Sequence, residues 1–219
     1  NNYKISLLLN DLNLEYDYSK LNGVHNLYIP LKFFVNKNYE NILNVLNKKF
    51  STYIYLPTII RANYRNLFYD NIVNTTKKYN IKGIVLSNIS NFMLISDLYK
   101  SNKNLELIAN YTFNIYNNET INKLNELQIS RYTVSPELNK LSILNLYGNP
   151  QKELIVYGKI PLMNMNYCLL GKSNKCYPNC NSLCTNKNRY FLKDRLGLHF
   201  DIVPDNIQTV TTIYNCKTL

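Results

Sequence analysis

GIVLSNISNFMLISDLYKSNKNLELIA, residues 83–109, decides the fold. Its ends, Gly83–Leu86 and Leu105–Ala109, are short apolar runs, and between them Asn91–Lys100 is amphipathic and long enough for a helix. Two apolar strands joined through a helix make a βαβ unit, which belongs to a parallel sheet with helices covering its faces. The same rhythm extends in both directions. Further strands are expected at Tyr3–Leu9, Asn26–Phe34, Thr52–Ile59, Arg131–Val134 and Leu154–Tyr157. Helices are expected at Tyr39–Lys49, Tyr64–Tyr79, Glu119–Leu127 and Asn139–Leu146. Seven strands at this spacing predict an α/β, TIM-barrel-like sheet, complete or partial, over residues 1–163. From residue 164 the alternation stops. Residues 164–219 hold a cysteine-rich loop, a β segment at Arg189–Phe200 and a last strand near Val210–Tyr214, read as a small metal-binding appendage.

A chain of 219 residues can bury a substantial core, and 46% hydrophobic residues with 20 Tyr mark it as globular rather than disordered. The wealth of Asn and Lys looks like coding bias in an AT-rich genome. The formal net charge of +11 favours a polyanionic partner such as RNA. No run of 18 apolar residues and no basic-then-apolar leader is present, so a cytoplasmic protein without a membrane span is expected. The opening NNYKISLLLN enters directly into a strand-like run, as in a piece of a longer polypeptide.

All five cysteines lie in the last quarter, four of them in YCLLGKSNKCYPNCNSLC: Cys168, Cys176, Cys180 and Cys184, with Cys216 further on. Such close spacing in a loop suits thiolates converging on one soft metal centre better than a disulfide framework. Zinc and an iron–sulfur cluster both accept four thiolates, and the spacing does not choose between them.

Polar residues just past parallel strands line the ligand-binding face of a barrel. Arg61 after YLPTII, Ser87 and Asn88 after GIVL, Asn114 and Asn117 in NYTFNIYN, and Ser135 and Glu137 in VSPEL fit that position. Glu137 and Asn114 are candidates for acid–base or polar work at the mouth, and Arg61 and Asn117 for substrate binding. The bland alternatives are a helix start for Ser-Pro-Glu and turn chemistry for the asparagines. In RYFLKDRLGLHFDIVPD, Lys193 and Arg195 flank Asp194 and could hold an anionic substrate or RNA phosphate, or form a solvated hairpin tip. His25 and His199 have no local nucleophile and no HExxH context, and no GxSxG, P-loop or GxGxxG sequence occurs.

The ordered series LPTIIR, FNIYN, SRYTVSPELN, ELIVYGKIPLM, YC, CxxxC, YFLKDR and IYN resembles the U32 "peptidase" family, from about residue 50 to the end. The match is to the carboxy-terminal barrel portion of longer bacterial members. The resemblance implies a TIM-barrel-like fold with a 4Fe-4S cluster held by four cysteines. It also implies oxygen-independent hydroxylation of a pyrimidine in tRNA or rRNA, with prephenate as oxygen source, as in some members; others act in ubiquinone synthesis. On this pattern Cys168, Cys180 and Cys184 are ligands. Where the family places a fourth cysteine, before IYN, this chain has Gln208. Cys176, which closes the shorter loop, or Cys216 could substitute, and otherwise the cluster would have an open iron site or be absent. A collagenase-like peptidase, as the family name suggests, and a non-catalytic zinc-stabilised RNA-binding module are the alternatives. A missing amino-terminal region or partner barrel completes the picture that the resemblance draws.

Overall fold

The computed structural model describes residues 3–173, 176, 180 and 189–219. They divide into two compact units, Asn1–Ile155 and Val156–Leu219. The first is an α/β unit built on a parallel sheet of seven strands in sequential order: β1 (Ile5–Leu8), β2 (Val24–Pro30), β3 (Ser51–Tyr55), β4 (Ile81–Leu86), β5 (Glu106–Ala109), β6 (Arg131–Thr133) and β7 (Gln151–Glu153). Helices return the chain between strands: α1 (Leu31–Val35) and α2 (Glu40–Lys49), then α3 (Arg65–Lys78), α4 (Ile89–Ser101), α5 (Asn118–Glu126) and α6 (Lys140–Leu144). Sequential order with every pairing parallel is the pattern of a barrel wall.

Strand alternation sends two different sets of side chains to the two faces. Leu27, Ile29, Ile54, Leu56, Ile84, Leu86 and Leu107 are fully buried, as are Leu43 and Leu46 of α2, Phe68 and Ile72 of α3, and Ile95 of α4. These form the layer between sheet and helices. The opposite face is narrower and mixed. Tyr28, Tyr53, Val85 and Ile108 form one cluster there, with Leu8 and Tyr55 packed on it.

That second face is concave. A flat sheet would hold β2 and β7, five strand steps apart, at about 24 Å. Yet the Tyr28 hydroxyl of β2 donates to Glu153 of β7 at 2.9 Å. Arg131 of β6 reaches Tyr28 at 3.1 Å and Tyr53 of β3 at 3.4 Å. Side chains can meet across those strands only when the sheet is curled, so the unit is a partial barrel.

In this sheet, strand edges differ most from the sequence-based expectation at three places. β3 stops at Tyr55, short of Ile59. Pro30 ends β2, and Leu31–Val35 turns into α1 instead of prolonging the strand. The final strand of this sheet is Gln151–Glu153, before the apolar run Leu154–Tyr157. Pairing of Thr133 with Glu153 fixes it, while Val156 and Tyr157 are over 80% exposed. In this strand Glu153 reaches the concave face, where it meets Tyr28 and Arg131.

The second unit holds an antiparallel sheet in the order β8 (Pro161–Met165), β11 (Val210–Tyr214), β10 (His199–Asp205), β9 (Tyr190–Lys193). Ile202, Ile213 and Thr211 are buried within it. No helix of the described residues is long and apolar enough to cross a membrane.

At Gly83 two strands of the wall approach closely. A Cβ there would stand 2.1 Å from the Glu106 carbonyl oxygen, so β4 and β5 approach too closely for any side chain. Gly83→Ala is expected to destabilise by about 1–3 kcal/mol in chemical denaturation, because the backbone must give way. A change within about 0.3 kcal/mol would mean that the strands are not this close.

Candidate functional site

Two groups of polar side chains occupy the concave face. The lower one starts from charged residues at strand beginnings. Glu106 opens β5 and Arg131 opens β6, and alternation turns both inward with Tyr53 and Glu153. The Arg131 guanidinium lies 3.2 Å from Glu106 and 3.7 Å from Glu153. Tyr53 donates to Glu106 at 2.8 Å, and Thr133 donates to Glu153 at 3.2 Å. Lys82 adds a more exposed contact to Glu106 at 3.3 Å. Two carboxylates therefore share one guanidinium, two phenols and a lysine, so charge is nearly balanced and hydrogen bonds are satisfied.

Burial holds the Tyr53 phenol in its neutral form, and the hydrogen bond to Glu106 adds to the effect, raising its pKa to about 12. The Tyr28 phenol is raised further, by burial first and by the Glu153 carboxylate second.

The upper group sits where the strands end. Tyr55, the last residue of β3, accepts from the Asn110 amide at 2.7 Å. Its phenol is raised to about 12 by desolvation. Asn110 follows β5 directly and is buried. The Thr112 hydroxyl donates to the Ser87 carbonyl at 2.6 Å, and the buried Ser87 hydroxyl donates to the Leu56 carbonyl at 2.6 Å. Tyr111 is another phenol raised by burial, with Tyr55 close enough to add to the shift. Tyr116 donates to Glu137 at 2.6 Å and accepts from Ser135 at 3.3 Å. These bonds knit the loops after β3, β4, β5 and β6 into one polar rim at the carboxyl ends of the strands, where barrels carry ligand sites.

The residues expected from the sequence have separate fates. Glu137 is exposed and joins the rim through Tyr116. Asn114 is exposed, with φ of 52°, and ends a 3-10 turn in a left-handed conformation that Asn tolerates. Asn117 caps α5, accepting from the Thr120 N–H at 2.9 Å, and Asn88 caps α4 in the same way. Ser135 starts a turn rather than a helix; α6 begins later, capped by Asn139. Arg61 precedes a 3-10 turn and stacks on Tyr64 at 5.2 Å. Lys193 and Arg195 are exposed at the β9–β10 hairpin.

Sequence reasoning missed several rim residues: Tyr55, Asn110, Tyr111, Thr112 and Tyr116. The signal was Asn110's place directly after β5, ahead of Asn114 and Asn117 in the same loop.

Of the cysteines, Cys168, Cys176 and Cys216 are half-buried and Cys180 is exposed, and no two of these four are bonded to each other. Cys184 lies outside the described residues. Among the described residues no three His, Cys, Asp or Glu side chains gather around a common metal position. Gln208, which stands where a fourth cysteine was expected, is fully buried and donates to Asp205 at 3.2 Å.

No family model matches this chain, and no curated protein does. Among solved structures, the chain is similar to a mutant GH18 chitinase from Cycas revoluta in complex with (GlcNAc)4. The identity is 11%, the TM-score 0.40, and the match covers 88% of this chain and 81% of that one.

The buried phenols make stability depend on alkaline pH. Tyr53 and Tyr55 hold their protons up to about 12 when folded, but titrate near 10 when unfolded. Between those values the native state binds more protons than the unfolded chain, so stability is full below pH 10 and falls as pH rises. Urea melts are expected to show a flat unfolding free energy from pH 7 to 9, then a decline of about 1.4 kcal/mol per pH unit for each such phenol. Stability unchanged up to pH 11.5 would contradict their burial.

Proposed function

We propose that the chain is a U32-type barrel portion that hydroxylates a pyrimidine of tRNA or rRNA without molecular oxygen. The observation that carries this reading is where the family-like segments fall. LPTIIR follows β3, FNIYN follows β5 and SPELN follows β6, so all three supply loops at the carboxyl ends of parallel strands. A formal charge of +11 supports a polyanionic substrate.

The roles follow from position. Glu137, held by Tyr116, is the acid–base candidate of the rim, with Asn114 as its polar companion in the loop after β5. Arg61, Asn117, Lys193 and Arg195 bind phosphate or an anionic donor such as prephenate. In the second unit Cys168, Cys180 and Cys184, with Cys176 or Cys216, are the proposed ligands of a 4Fe-4S cluster; zinc is the alternative ion. Such a cluster supplies electrons when bound, with a potential set by burial and hydrogen bonds to its sulfurs. A cytoplasmic location fits an RNA substrate.

Deleting the gene is expected to remove one hydroxyl from a specific pyrimidine, read by mass spectrometry of tRNA and rRNA digests. An unchanged modification profile would overturn the proposal. Cys180→Ser or Cys184→Ser is expected to strip most iron from anaerobically purified protein; full retention would refute the ligand set.

A further inference from the structure

We propose that the β9–β10 hairpin is a platform for single-stranded RNA, with an unpaired base stacked on Phe191 and flanking phosphates held by Lys193 and Arg195. The proposed function is needed here only for the identity of the polyanion; the chemistry of hydroxylation is not.

Phe191 and His199 stack with ring centroids 4.2 Å apart and planes 22° apart. Both residues are exposed, Phe191 by 52%. Buried aromatic pairs need no explanation beyond packing, but a parallel pair left in water presents a preformed flat surface. The register puts the cation on the same side: His199 pairs with Lys193, and Phe191 stands two residues before Lys193. Arg195 follows in the turn and is also exposed.

The acids nearby are already engaged. Asp194 accepts the backbone N–H groups of Leu196 and Leu198, each at 2.8 Å, and so shapes the turn. Asp201, opposite Phe191, is paired with Lys159 at 2.6 Å. Neither Lys193 nor Arg195 forms an ion pair with a described residue. Across residues 156–219 eight Lys and Arg stand against three Asp. Two unspent cations beside an open aromatic face fit a phosphate backbone that carries unstacked bases. A duplex keeps its bases stacked internally and offers none to Phe191.

The test is fluorescence anisotropy of the full chain with a labelled single-stranded RNA of mixed sequence, with the same RNA as a duplex, and with anionic phospholipid vesicles. Binding to the single strand is expected, weakening with salt. Phe191→Leu is expected to weaken it roughly five- to 150-fold, while Phe191→Tyr, which keeps a ring, stays within about twofold. Lys193→Gln with Arg195→Gln, both on an exposed turn, should reduce the salt slope by about 0.7 for each phosphate no longer held. Parent-like binding by Phe191→Leu, preference for the duplex, or binding to vesicles without binding to RNA would each overturn the platform. The two proposals separate cleanly: Phe191→Leu protein that still binds single strands sinks the platform alone, and an intact RNA hydroxylation profile after gene deletion sinks the function alone.

Discussion

One guanidinium joins four other strands across the concave face of the parallel sheet. Arg131 stands between two carboxylates and two phenols that come from β2, β3, β5 and β7, and these strands can share a partner only on a concave face. The charged set is not a large source of net stability, since apolar replacements of similar volume often do as well. Its effect is directional. Removing one member would leave the others partly buried with unmatched charge or unfilled hydrogen bonds, so curled arrangements that keep all five together are favoured over flatter ones.

From this constraint follows a division of labour along the strands. On the concave face, Glu106 and Arg131 at strand starts, Tyr28 and Tyr53 within strands and Glu153 at the end of β7 form one bonded cluster of charge pairs and phenols. Near the strand ends, Tyr55, Asn110, Thr112 and Ser87 tie successive loops by short hydrogen bonds, and the loops present Tyr116 and Glu137 outward. Stability at one end and adaptable loops at the other is the usual arrangement of barrel enzymes. The antiparallel unit follows different rules. Its Phe191, Lys193, Arg195 and His199 are exposed around the β9–β10 hairpin rather than enclosed within a concave face.

The fold was legible because its signal is local. Apolar runs such as GIVL and LELIA, separated by amphipathic stretches, state a parallel sheet with helices on it. The five helices expected between strands lie within one to two residues of expectation, whereas α1 falls where a strand was expected. The site was less legible for two physical reasons. First, Asn and Ser after a strand serve caps and turns as readily as ligands, and Asn117, Asn88 and Asn139 are all engaged as helix caps. Secondly, the Arg131 cluster joins residues over a hundred positions apart, so no window of sequence contains it. The misplaced last strand has the same origin: Leu154–Tyr157 has the better local pattern, but the partners of Glu153, Arg131 and Tyr28, lie elsewhere in the chain.

A double-mutant cycle over Tyr28→Phe and Glu153→Gln, read from urea unfolding of the four proteins, tests this account most directly. Contact across the curled face predicts a coupling of about 0.5–3 kcal/mol between residues that a flat sheet would hold apart. Additive effects, equal to the sum of the single changes within about 0.3 kcal/mol, would contradict it.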